Sequence, residues 1–211
     1  MIILSLLKHN YKMKNVSDRL NRLSESATLA MARMSRELQA KGVNVIALSL
    51  GEPDFNTPEF IKEAGKKAID DNFSHYTPVP GLAELRSSIA AKFKRDNNLE
   101  YKPEQIVTST GAKQSLANVC LSLLNPGEEV LLPCPYWVSY SEIIKLAEGN
   151  PIEIPSSIDS DFKVTANDLE AAITSKTKML MFSSPCNPSG TVYTQEELED
   201  IAKMLEKYPE I

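Results

Sequence analysis

The spacing of apolar positions divides the chain near Tyr101. Before it, apolar residues fall at helical intervals broken by turn-rich loops. Leu, Met, Ala and Arg dominate from Val16 to Lys41 and Gly42 is a natural stop, which predicts one helix. Val45 to Leu50 is a short apolar run that leads into Gly51-Glu52-Pro53-Asp54-Phe55. Thr57-Pro58 supplies an N-cap and a first-turn proline for a helix to about Asp71. His75 to Gly81, with two prolines and a glycine, is irregular. Leu82, Leu85, Ile89 and Phe93 then form one stripe of a helix ending near Lys94.

After Tyr101 short apolar runs alternate with amphipathic segments. Strands are predicted near 106–108, 129–133, 152–154 and 178–183, the last fully buried. Helices are predicted over Ala112–Leu124, Ser139–Glu148, Asp168–Ile173 with Thr165 as cap, and Thr194–Lys207, where Thr194 and Glu197 stand at capping-box spacing. Strands separated by helices predict an α/β fold with a parallel sheet and right-handed crossovers. No repeat or low-complexity segment interrupts it.

Three turns at strand ends carry residue types suited to chemistry. Ser109-Thr110-Gly111-Ala112-Lys113-Gln114 sits where a strand becomes a helix. Small residues there allow close approach of an anion to the first-turn N–H groups, although an ordinary strand–helix turn also uses glycine. No GxGxxG, GKS or GKT is present, which excludes a dinucleotide fingerprint and a Walker loop. Pro135-Tyr136-Trp137 holds the only tryptophan, whose indole either stacks on a flat ring or packs in the core. Ser184-Pro185-Cys186-Asn187-Pro188-Ser189-Gly190 is a tight turn with two X-Pro bonds, and cis geometry is expected at Cys134–Pro135 or Asn187–Pro188. Such a turn holds the Asn187 amide, a donor to an oxyanion, in one place.

Composition narrows the class. A net charge of −5, with acids and bases interspersed, gives no basic pole for nucleic acid. Cys120, Cys134 and Cys186, with only His9 and His75, lack metal-ligand spacing, so no metal site is expected and reduced thiols in a cytoplasmic protein are the default. Met1 to Leu7 is apolar, but Lys8 ends the run and no small-residue cleavage site follows. An extension ahead of a second start at Met13 is expected rather than a secretory signal. No stretch is apolar and long enough to span a membrane.

Taken in order, SLGEPDF, HYTPVPGLAELR, TGAKQ, PYWVSY and SSPCNPSG resemble the class I aminotransferases of fold type I, with most likeness to the bacterial aspartate aminotransferases. The resemblance runs from about Met13 to the last residue. It implies a three-layer αβα parallel-sheet domain, incomplete here, with a helical N-terminal arm. Residues 1–55 would be the extension and arm, part of a small domain, and 56–211 the first half of the large domain. The cofactor would be pyridoxal 5'-phosphate. Ala112 and Lys113 N–H groups would hold its phosphate, Trp137 would stack on its ring, and Asn187 would bond its phenolic oxygen. Tyr76 would reach the phosphate of the neighbouring subunit in a homodimer. Gly51 would lie against the substrate α-carboxylate, with Trp137 and Asn187 also facing the substrate. The Lys113 side chain would pair with a distal carboxylate, and Ser26 would assist.

Cys186 departs from the many relatives that have asparagine before the Asn-Pro pair, with no redox role expected. The family continues with an Asp-Glu-x-Tyr segment, a lysine that carries the cofactor and an arginine for the α-carboxylate, none of which follows Asn187 in these 211 residues. The chain is therefore expected to be an N-terminal portion with no catalytic lysine, with unpaired sheet edges and without activity by itself. The reaction implied is amino-group transfer between aspartate and 2-oxoglutarate. Another amino acid or a prephenate-type substrate, or a non-catalytic fragment, are the alternatives.

Overall fold

A computed structural model describes residues 16–48 and 50–211. The expected extension ahead of Met13 lies outside them. The described residues form two compact units, one from the N-terminal residues to Gly42 together with Leu116–Ile211, the other Val43–Ser115.

The first unit is built on a parallel sheet of β1 (Glu129–Pro133), β2 (Asn150–Ile154) and β3 (Thr177–Leu180), in the order β2-β1-β3. β1 is central, and from Val130 to Pro133 it is a continuous apolar run because both of its faces are covered. Val130 and Leu132 point to one side, where they meet Cys120 and Leu124 of the α5 region (α5, Ala112–Leu123) and Tyr140, Ile143 and Ile144 of α6 (Ser139–Leu146). Leu131 points to the other, against Leu169 of α7 (Ala166–Ala172) and Ile201 and Met204 of α8 (Gln195–Leu205). The two-residue period of a strand thus sorts side chains into two cores, and the result is the expected three-layer αβα arrangement. α6 buries Tyr140, Ile143 and Ile144 at helical spacing, continued by Ala147 one turn on.

The expected capping box of Thr194 and Glu197 forms, and Thr165, expected as a cap, heads another. Thr165 Oγ1 accepts from Asp168 N–H and the Asp168 carboxylate from Thr165 N–H at the start of α7. At α8, Thr194 Oγ1 accepts from Glu197 N–H at 3.2 Å, Glu197 accepts from Thr194 N–H at 2.7 Å, and Lys163 Nζ reaches the same carboxylate at 2.7 Å. Thr194→Ala removes the acceptor for one first-turn N–H. It is expected to cost about 1 kcal/mol, measured as a lowered urea midpoint at unchanged slope.

The N-terminal arm departs from the single helix expected over 16–41. It is two helices, α1 (Asp18–Asn21) and α2 (Ala27–Ala40), separated at residues 22–26. The break has tertiary and local causes. Ser24 N–H donates to Glu142 at 2.8 Å, Arg19 and Arg22 pair with Glu148 at 3.5 and 3.3 Å, and Ser26 starts α2 as its N-cap. Burial works to raise the Glu142 carboxyl, but the Ser24 N–H and the Lys145 ammonium hold it below the usual range.

The second unit contains α3 (Glu59–Asp70) and α4 (Ala83–Asn97). Pro58, not Thr57, is the N-cap of α3, and no side chain caps it. On α4 the expected stripe is half realised: Ile89 and Phe93 are half-buried, with Phe93 edge-on to Tyr101 at 5.8 Å, while Leu82 and Leu85 are exposed. The expected strand at 106–108 is absent. Ile106 has extended dihedrals, but no neighbouring strand bonds to it among the described residues, and Thr108 N–H bonds instead to Pro80 O at 3.0 Å. Extended backbone becomes a strand only when a second one satisfies its N–H and C=O groups. That contact also explains Gly81, at φ +102°, where an added Cβ would lie 2.2 Å from Thr108 Oγ1. The described residues of the run Val45–Leu50 likewise form no ladder, and Ile46 and Leu48 are 85% and 92% exposed.

Candidate active site

In an open parallel sheet, ligands bind beyond the carboxyl ends of the strands where successive connections run in opposite directions. Here the connection from β1 runs to β2 on one side, and the next crosses back to β3 on the other. The reversal falls between β1 and β3. The loops leaving those strands carry Trp137 and Asn187, so topology brings together two of the residues singled out from the sequence.

The loop after β1 is pinned at several atoms. Cys134 N–H extends the ladder to Ile154 O at 2.9 Å, Ser156 Oγ donates to Cys134 O, and Cys134–Pro135 is cis. Trp137 is half-buried, edge-on to Tyr140 with ring centroids 5.6 Å apart, and its carbonyl accepts from Tyr140 N–H at 2.9 Å at the start of α6. Trp137 is thereby held on Tyr140 at the start of α6, and an indole at the carboxyl end of a strand suits stacking on a flat ring.

The loop after β3 folds back tightly. Cys186 N–H donates to Thr191 O at 2.8 Å, and Gly190 N–H to Cys186 O at 2.7 Å. Asn187–Pro188 and Ser184–Pro185 are both cis, the second of these unforeseen. Asn187 is exposed, and its side-chain amide meets no partner among the described residues, which leaves both its donor and its acceptor for a ligand. Tyr193 closes the loop from below, edge-on to Phe182 at 5.4 Å and bonded through its hydroxyl to Val164; burial pushes its pKa up.

Two contacts at this edge carried no signal in the sequence. Cys186 Sγ donates to Pro135 O at 3.2 Å, across 51 positions, and so ties the two loops. Tyr136 Oη donates to the Glu153 carboxylate of β2. Burial first and Glu153 second push the Tyr136 pKa up to about 12. Burial, then Glu153, also raise the Cys134 thiol. A raised phenol favours the folded state fully below its ordinary pKa of 10.0, and that contribution is lost as pH rises from there to about 12. Tyr136→Phe is expected to remove one late-ionising phenol from a spectrophotometric titration and to flatten the loss of stability across that window.

The remaining candidates stand elsewhere. Ala112 and Lys113 open α5 after Gly111, at φ +87°, and both are exposed. First-turn N–H groups have no carbonyl one turn earlier, so this is an anion-binding arrangement by construction. Gln114 Oε1 accepts from Thr110 N–H, one residue before the glycine, and not from Ala112. Gly51 and Tyr76 lie in the second unit and are exposed. Ser26 caps α2, its hydroxyl accepting from Leu29 N–H at 3.5 Å. Among the described residues no group of histidines, cysteines and carboxylates has metal-ligand geometry, and no helix is long and apolar enough to cross a membrane.

The family model for aminotransferase class I and II matches residues 43–211. The chain belongs to this family. Within it, the chain is 48% identical over 197 residues to the probable aspartate/prephenate aminotransferase of Rickettsia bellii, covering 93% of the chain and 49% of that protein. It is 46% identical over 196 residues to the aspartate/prephenate aminotransferase of Nitrosomonas europaea, with 93% and 49% covered. Among solved aminotransferases, the aspartate aminotransferase of Rhizobium meliloti superposes with a TM-score of 0.89 at 39% identity, covering 92% of this chain and 49% of that one. That of Thermus thermophilus with maleate gives 0.88 at 39%, covering 92% and 51%. The chain thus spans about half the length of the curated aminotransferases it matches.

Proposed function

We propose that this chain supplies the cofactor-facing first half of a pyridoxal 5'-phosphate-dependent aminotransferase, with aspartate and 2-oxoglutarate as amino donor and acceptor. The observation that carries the reading is the meeting of the Trp137 and Asn187 loops at the switch point of the sheet. The two loops fit the cofactor ring, with an indole for a flat ring and an amide unpartnered among the described residues for a ring oxygen, and the exposed start of α5 by itself suits a phosphate. When bound, the cofactor supplies a ring that accepts electron density during amino-group transfer. Trp137 would orient that ring by stacking, and Asn187 would donate to its oxygen and keep the ring in one rotation. The Ala112 and Lys113 N–H groups would hold the phosphate.

Lys113 Nζ would pair with the distal carboxylate of a dicarboxylic substrate, Gly51 would lie against its α-carboxylate, and Ser26 would assist. The maleate of the Thermus enzyme, a dicarboxylate, supports that substrate class. The names of the relatives favour a prephenate-type acceptor as a second substrate. The assembly would be a cytoplasmic homodimer in which Tyr76 reaches the partner's phosphate. Residues 1–55 would form the extension and arm, and 56–211 the first half of the large domain.

The sole tryptophan provides the test. Saturable quenching of Trp137 fluorescence by pyridoxal 5'-phosphate is expected, much weaker with pyridoxal, which has no phosphate for the α5 start. Equal quenching by the two would refute the phosphate assignment. In the loaded protein, Lys113→Met is expected to weaken maleate binding more than acetate binding.

A further inference from the structure

The parallel ladder fixes the positions of β1 and β3 but not of the loops beyond them. Its last bond between the two is from Met181 N–H to Leu131 O, at 3.0 Å. Trp137 lies six residues past that carbonyl and Asn187 six past that amide. A ligand held between an indole face and a carboxamide needs both at fixed positions, since a shift of about 1 Å in such a constellation is enough to lose much of its function.

Cys186 occupies the position from which the two loops can be joined. Its backbone is held at both ends, with the N–H on Thr191 O at 2.8 Å and the carbonyl on Gly190 N–H at 2.7 Å. It is next in sequence to Asn187. Its thiol donates at 3.2 Å to the carbonyl of Pro135, two residues before Trp137. Cys186 also lines, with Pro135, Tyr136, Phe182 and Tyr193, a cavity of about 10 Å³, space for no more than one water. A thiol is a weak donor, but both groups here are fixed by other bonds, and little freedom is lost in joining them.

We propose that Cys186 is a positioning residue, whose thiol-to-carbonyl bond holds the Trp137 loop in register with the Asn187 loop. The consequence for the cofactor rests on the function proposed above; the consequence for Trp137 does not. The experiment compares Cys186→Ala, Cys186→Val and Cys186→Ser in the 211-residue chain, by acrylamide quenching and fluorescence anisotropy of Trp137 without ligand, by urea midpoint, and by pyridoxal 5'-phosphate titration. Ala and Val both lack the donor, and Val fills the space that Ala empties. Both are expected to raise quenching, lower anisotropy and weaken cofactor binding about threefold, the scale of one neutral hydrogen bond. Ser keeps a donor, and is expected to restore all three readouts toward the native values. Unchanged Trp137 signals in both Ala and Val would overturn the proposal. So would Ser behaving as Ala does, since the thiol would then act by volume alone. If the native chain binds no cofactor while the Trp137 signals follow this pattern, the positioning role stands and the cofactor reading falls.

Discussion

Leu131→Ala is expected to cost about 3–4 kcal/mol of folding stability, within the range for a fully buried leucine. The argument begins with position. Leu131 is the middle residue of the central strand, paired to Ile152 on one side and Leu180 on the other, and it is 0% exposed. Its side chain belongs to the buried cluster of Ile154, Leu169, Tyr193 and Ile201, contributed by three elements besides its own strand, and the substitution removes three carbons from that cluster. Strand neighbours are held by the ladder and cannot collapse inward, so most of the cavity persists. A urea titration followed by Trp137 fluorescence should show a large drop in midpoint at unchanged slope. Val119→Ala, at an α5 position 44% exposed, serves as the control and is expected to stay within about 0.5 kcal/mol. A cost below about 1 kcal/mol at Leu131 would mean that β1 is not the strand covered on both faces.

Asn187→Ala is expected to do the reverse, leaving the fold intact and removing binding. Asn187 is exposed and its amide bonds to nothing among the described residues, so truncation breaks no internal contact of that amide. Its backbone stays fixed by the bonds flanking the turn. What it would lose is a hydrogen bond to the ring oxygen, a partner carrying charge, worth about 2 kcal/mol. That corresponds to roughly 30-fold weaker pyridoxal 5'-phosphate binding, read from Trp137 quenching, with the urea midpoint within about 0.5 kcal/mol of native. Native affinity in this variant would remove Asn187 from the cofactor site. The pair of variants separates the two demands on the β1–β3 region: Leu131 holds the strands together, and Asn187 would act on what lies beyond their ends.

The legible parts of this protein were those set by local physics. Glu129 to Pro133 read as a strand from its apolar run Val130–Pro133, whereas 178–183, expected to be fully buried, is only half-buried over 178–180 because β3 is an edge of the described sheet. Thr194 and Glu197 marked a helix start because the reciprocal bonds of a capping box need only those two residue types three apart. Trp137 stood out as the only tryptophan and Asn187 as an amide held in a proline-rich turn, and the structure sets both on loops at one edge of the sheet. What failed was what depends on distant partners. The extended segment at 106–108 had the composition of a strand, but strand identity belongs to a pair, and its bond went to Pro80. The helix expected over 16–41 breaks where Ser24 meets Glu142, 118 positions away.

Sequence alone therefore determined the element types from Ala112 onward, and it singled out residue types suited to a ring and a phosphate. Only tertiary structure decided the order β2-β1-β3, which sets where the connections reverse, and hence which loops adjoin. It also decided that Cys186 meets Pro135 and Tyr136 meets Glu153. Side-chain periodicity is a property of neighbours along the chain and can be read there. Adjacency across a parallel sheet is fixed by packing two cores at once, and no local pattern records it.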